Sequence, residues 1–125
     1  MRMWMVDPRF LCRQHLLGEH GELHKHLHNW EKKHSIAGRI TGNAIEPRAY
    51  KTRHDQLAEE MILRGYNHNS PLEQPDFSYL SKEEYLVRVN RRDALILLTT
   101  RCPHCRERYL DFKTKELATS VASTC

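Results

Sequence analysis

The chain is predicted to be all-α: a compact single domain of three main helices with long connecting loops. Three observations lead there. Apolar residues recur at helical spacing in three stretches, those stretches begin or end on helix-capping residues, and the segments between them are rich in Gly, Asn and Pro. A length of 125 residues suits one hydrophobic core rather than two.

Asp7-Pro8 reads as an N-cap followed by proline at the first helical position, where a missing N–H does no harm, so a short helical turn is expected there. The first long helix is predicted from Arg13 to Lys33, with Leu16, Leu23, Leu27 and Trp30 on one stripe and His20 falling on it. Its polar side carries His15, Gly18, Glu22, Lys25, Asn29 and Lys32, aligned by steps of three and four. Gly18 and Gly21 each weaken a helix by about 1 kcal/mol relative to Ala, which close approach of another backbone or of DNA would justify.

Residues from His34 to Pro47 read as a loop with Arg39 and Arg48 at its ends. A second helix follows on the stripe Tyr50, His54, Leu57, Ala58, Met61 and Ile62, with Gly65 as its stop. Tyr66 to Leu80 contains Asn67, Asn69, Pro71 and Pro75 and is read as a long loop. Ser81 and Glu84 form a capping box for a third helix carrying Tyr85, Leu86, Val89, Ile96 and Leu97. The domain is placed at residues 1–113, and residues 114–125, rich in Ala, Ser and Thr, are read as a loosely ordered tail.

Composition narrows the function. A formal charge of +4 and a pI near 9.0 favour a polyanionic partner, because Lys and Arg that neutralise phosphates release counterions. No apolar run approaches the roughly 20 residues of a membrane span, and the N-terminus lacks a signal-peptide h-region, so a cytoplasmic protein is expected. The four cysteines are then expected as thiols.

One run carries more than periodicity. Gln14-His15-Leu16-Leu17-Gly18-Glu19-His20-Gly21-Glu22-Leu23 resembles the first-helix motif of the pyrimidine dimer DNA glycosylases, the endonuclease V-like proteins of phages and bacteria. Lys33-His34 followed by Gly38, then Pro47 to Tyr50, then Arg64-Gly65-Tyr66-Asn67 match in the family's order, so the resemblance covers roughly the first 70 residues.

The resemblance implies an endonuclease V-like helical fold in which the N-terminal segment threads beside the first long helix. It also implies a DNA repair glycosylase with AP lyase activity acting on double-stranded damaged DNA as a monomer. The α-amine of Met1 would attack C1′ of the damaged pyrimidine nucleotide, displace the base and form a Schiff base, and the strand would break by β-elimination. Glu22 would be the catalytic carboxylate. Such an amine has an unperturbed pKa of about 8, which leaves more neutral nucleophile at pH 7 than lysine provides. Because Arg2 is large, the initiator methionine is expected to be retained, whereas the prototype exposes a threonine by losing it. Arg2, Arg13, Gln14, His15, Lys25, Lys32 and Arg39 are the expected DNA contacts. The chain departs from the family at Gly21, where the prototype has arginine before the glutamate, and at Lys25, which lacks a guanidinium fork. Without the motif, Glu22 reads as a solvated helix-surface carboxylate, and Glu19 reads as a partner for a nearby Lys or Arg.

Other readings are a non-catalytic DNA-binding module, or a relative acting on abasic sites or modified phage bases. The mechanism uses one amine and one carboxylate, so no cofactor or metal is expected. Cys102-Pro103-His104-Cys105 offers half of a zinc ligand set, which only Cys12, Cys125 or a histidine completes, and is read instead as two thiols at a helix end. His24, His26 and His28 point about 200° apart per step on a helix and do not converge on one ion. Trp4 and Trp30 are read as core residues, with Trp4 near enough to the amine to act as a base wedge.

Overall fold

The computed structural model describes residues 2–27, 30, 45–68 and 70–123, with side chains as far as Leu117. Met1, Asn29, Lys32, Lys33, His34, Gly38, Arg39 and Cys125 lie outside the described residues. Among the described residues there are five α-helices: α1 (Arg13–Lys25), α2 (Tyr50–Leu63), α3 (Lys82–Tyr85), α4 (Arg91–Arg101) and α5 (Pro103–Ser123). Short 3-10 turns at Pro8–Phe10 and Pro47–Ala49 precede α1 and α2. No strand occurs among the described residues, in keeping with the all-α prediction.

The Asp7-Pro8 start is as predicted, with the Asp7 carboxylate accepting from the Arg9 N–H at 3.0 Å. α1 stops earlier than predicted, with His26 as its C-cap, and Leu27 and Trp30 are again helical beyond that break. α2 ends as predicted. Gly65 takes φ 85°, and Tyr66 N–H returns to the Met61 carbonyl at 2.9 Å, the backbone reversal that a left-handed residue permits. A Cβ at Gly65 would meet no neighbour, so Gly65→Ala is expected to cost only the left-handed penalty, about 1–2 kcal/mol by urea unfolding.

The third predicted helix is corrected to two. The capping box at Ser81 and Glu84 forms, but α3 ends at Tyr85, and a new N-cap at Asn90 starts α4. The reason is long-range. Buried Glu46 accepts the Val89 N–H at 2.9 Å and is gripped by the Arg91 guanidinium, which also binds the Val89 carbonyl at 2.8 Å. A continuous helix would take those backbone groups away. Burial alone would raise the Glu46 carboxyl, but Arg91 and the Val89 N–H hold it below the usual carboxylate value. The apolar stripe shifts accordingly: Ala94 and Leu98 are buried while Ile96 and Leu86 are exposed. In α2, Ile62 is likewise exposed, although Tyr50, His54, Leu57, Ala58 and Met61 are buried as predicted. The segment read as a loose tail continues α5 as helical backbone to Ser123.

α1 packs on α2, and the N-terminal segment lies across both. Met3, Leu11, Leu16, Leu23, Trp30, Ile45, Tyr50 and Leu57 form the centre of the core. Tyr50 donates its hydroxyl hydrogen to the Leu23 carbonyl. Two arginines fix the N-terminal segment. Arg53 binds Glu19 through two bonds, at 2.5 and 2.9 Å, and donates to the Val6 carbonyl at 2.7 Å. Arg64 donates to the carbonyls of Pro8 and Leu11 at 3.1 and 2.7 Å. Just before the Val6 anchor, Met5 takes φ 56°, a left-handed conformation that a methionine adopts only when its surroundings impose it. α5 completes the fold by laying Tyr109 and Phe112 edge-on against Phe10, at centroid distances of 5.1 and 5.5 Å.

Candidate active site

The outer face of α1 and the N-terminal segment enclose a cleft of about 500 Å³, lined by Arg2, Trp4, Gln14, His15, Gly18, Glu19 and Glu22. Helical spacing explains the lining: Gln14, Gly18 and Glu22 are four residues apart and therefore stack along one line, with His15 and Glu19 beside them. Of the predicted site residues, Arg2, Gln14, His15 and Glu22 come together here. Arg13 is exposed next to it, its guanidinium 5.3 Å from the Tyr66 ring centroid. Lys25 is exposed at the end of α1 and does not line the cleft.

The two carboxylates of the cleft differ in kind. Glu19 is 3% exposed and committed to Arg53, the pairing expected from sequence, but in the core rather than on the surface. Glu22 is half-buried on the cleft side of the same helix and stands outside that buried pair. Trp30 is a core residue, 1% exposed, as predicted. Trp4 is only partly buried; Arg2 lies over its ring at 5.2 Å, and His15 meets it edge-on at 5.9 Å. An aromatic ring, a guanidinium and a carboxylate on one concave surface suit a nucleotide: a stacking face, a phosphate contact and a proton acceptor.

Gly18 and Gly21 are exposed, and a Cβ on either would meet nothing within 4 Å. Among the described residues, no other backbone makes the close approach that would justify them. At Gly18 the open space is the cleft itself.

Behind the cleft the structure completes the ligand set that the sequence leaves at half. The Cys12 sulfur is 3.2 Å from His15 Nδ1 and 3.9 Å from Cys102 Sγ, and Cys105 Sγ is 3.5 Å from His15 Nδ1. His15, predicted as a DNA contact, thus turns one ring nitrogen toward the thiols. Burial alone would raise the Cys102 thiol, but the N–H groups of Cys105 and His104 and the thiols of Cys105 and Cys12 outweigh it and set Cys102 below its ordinary value. Burial pushes Cys105 up to about 12.

A second cluster had no forecast. His20 and His24 of α1, His54 of α2 and His68 bring their Nε2 atoms together: 3.1 Å from His20 to His54, 3.0 Å from His24 to His54 and 2.9 Å from His68 to His20. Burial, then the neighbouring His54, His24 and His68, push His20 down to about 4, so it is neutral at pH 7. The signal is the His20–His24 spacing of four, which places two imidazoles on one helix face; His54 and His68 lie too far along the chain for spacing to join them to it.

The fold and cleft define a small helical protein with a carboxylate-bearing site beside its N-terminal segment. Residues 1–74 match the pyrimidine dimer DNA glycosylase family, and the chain belongs to that family. The match spans the N-terminal segment, α1, α2 and the loop holding His68. No curated protein and no solved structure gives a significant match. Among the described residues, no helix is long and apolar enough to cross a membrane.

Proposed function

We propose that the protein is a DNA glycosylase with AP lyase activity on damaged duplex DNA, with the Met1 α-amine as nucleophile and Glu22 as the catalytic carboxylate. The observation that carries this reading is the cleft shared by Glu22 and Arg2, the residue next to Met1, in a chain of this family. The amine attacks C1′ as the glycosidic bond to the damaged base breaks and gives up a proton; the C1′–O4′ bond then breaks, O4′ taking a proton, to give the Schiff base with the opened sugar. Glu22 stabilises the positive charge that develops on the sugar, then accepts the 2′ proton as the 3′ phosphate leaves by β-elimination. Arg2, Arg13, Gln14, Lys25, Lys32 and Arg39 are the proposed DNA contacts, with Trp4 positioned to stack on an unpaired base. The damaged nucleotide must leave the stack for C1′ to be reached, a step that a distorting lesion makes easier.

Borohydride trapping on duplexes carrying a thymine dimer or an abasic site tests the nucleophile. A reduced adduct mapping to the Met1 peptide is expected on both, and acetylation of the amine abolishes it. An adduct on a lysine, or DNA binding without any adduct, overturns the assignment and leaves a binding module.

Gly18→Ala separates fold from function. Helix propensity gives about 1 kcal/mol of added stability, and the structure accommodates the methyl, while turnover falls because the methyl enters space intended for DNA. Unfolding and incision measured on the same sample check both halves, with Gly21→Ala as the comparison outside the cleft lining.

A further inference from the structure

We propose that Cys12, His15, Cys102 and Cys105 form a structural zinc site that staples the C-terminal helices to the start of α1. The four residues come from the N-cap and first turn of α1, the C-cap of α4 and the first turn of α5, and their ligand atoms all lie within 4.8 Å of one another. A tetrahedron with zinc–sulfur bonds of about 2.3 Å and zinc–nitrogen bonds of about 2.0–2.1 Å has sulfur–sulfur edges of about 3.8 Å and sulfur–nitrogen edges of about 3.6 Å. The edges here are 3.9, 3.5 and 3.2 Å.

The backbone is arranged for charged sulfurs. The Cys12 N–H points at Cys105 Sγ at 3.2 Å and the Cys105 N–H at Cys102 Sγ at 3.4 Å. All three cysteines are buried and unbridged. Cys12 holds the N-cap position of α1 without capping it, so its side chain is directed to the cluster rather than to the helix. Three thiols and an imidazole make a complete structural set, with no open position for a substrate. Two ligands lie inside the family match and two beyond it, so the ion would join residues 1–74 to the part of the chain that the family does not describe.

Metal analysis of the full chain in a Cys125→Ser background, with cobalt(II) as spectroscopic substitute, tests this. The expected result is a thiolate-to-cobalt charge-transfer band. Cys102→Ser loses the band and one metal equivalent, and Cys102→His retains the metal with a weaker band. Chelation lowers Tm by roughly 10 °C or more. Absence of the band in the unsubstituted cluster, thiols that react equally fast with and without zinc, or a disulfide among them after anaerobic purification overturns the proposal; the last identifies a redox pair.

An independent geometry carries a second site, at His20, His24, His54 and His68, which we infer binds a divalent transition metal. Hydrogen-bond accounting leads to it. His54 Nδ1 pairs with Asp55 at 2.9 Å, which for a neutral ring places the proton there and leaves Nε2 with a lone pair. That nitrogen nevertheless faces His20, His24 and the Ser70 carbonyl at 3.1, 3.0 and 3.2 Å. A neutral His54 could accept from only one of the two imidazoles and would repel the carbonyl, and a doubly protonated one would have a single N–H for all three neighbours. A cation among the four Nε2 atoms meets their lone pairs directly, and Asp55 becomes the outer carboxylate that orients a metal-bound imidazole.

The Cys102→Ser protein is expected to keep one equivalent bound by nitrogen ligands in X-ray absorption. His24→Gln removes that equivalent and leaves the charge-transfer band. Asp55→Asn, on the surface, weakens binding about 10–100-fold. A chain that takes up no second equivalent, or whose second equivalent is unchanged in His24→Gln, overturns this site without touching the first.

Discussion

Replacing Glu22 by glutamine is expected to reduce strand incision at a thymine dimer by about 10²–10⁴-fold, the range associated with a positioned acid or base. The substitution preserves shape and removes both functions proposed for the group, the charge that stabilises the sugar cation and the basicity that takes the 2′ proton. Glu22 is half-buried on a helix face, so unfolding in urea is expected to move by no more than about 1 kcal/mol. DNA binding persists or tightens, since a negative charge leaves the cleft. Single-turnover incision on dimer and abasic duplexes separates the two functions. Loss on the dimer alone assigns Glu22 to base release, and loss on both assigns it to elimination. Full activity on both would remove Glu22 from the mechanism.

The largest effect on stability is expected at the Arg53–Glu19 pair. Both side chains are at most 1% exposed, and Arg53 also secures the Val6 carbonyl. Arg53→Met leaves a carboxylate in the core without its counterion, at an expected 3–5 kcal/mol, a large part of the 5–15 kcal/mol typical of a domain. The mechanism is specific enough to be reversed. Glu19→Met in the same chain removes the orphaned charge and recovers most of the loss, because two apolar side chains tolerate burial where one lone ion does not. Urea unfolding of both single variants and the double variant reads this directly; additive losses would show that the pair is not the cause. Because Arg53 holds the segment leading to Arg2 and Trp4, the single variant is also expected to lose incision activity beyond its unfolded fraction.

Much of the fold was legible because its signals are local. The stripe of α2, the Asp7-Pro8 start, the capping box at Ser81 and the Gly65 stop each involve residues within a few positions of one another. The break after Tyr85 was not legible, because the group that draws off the Val89 N–H is Glu46, 43 residues away. Ile62 and Ile96 misled for a related reason: a hydrophobic residue at the margin of a stripe is buried only if a neighbouring element covers it, and here none does among the described residues.

The sequence by itself determined the helical class, the family and the face of α1 that bears Gln14, Gly18 and Glu22, since helical geometry fixes those from spacing alone. Only the tertiary structure decided that Glu19 is a core ion and Glu22 a cleft carboxylate, though both stand on one helix. It also decided that Cys12 meets Cys105 across 93 residues, and that histidines on two apolar stripes and one loop converge. Spacing constrains neighbours along a helix, whereas convergence depends on how helices pack.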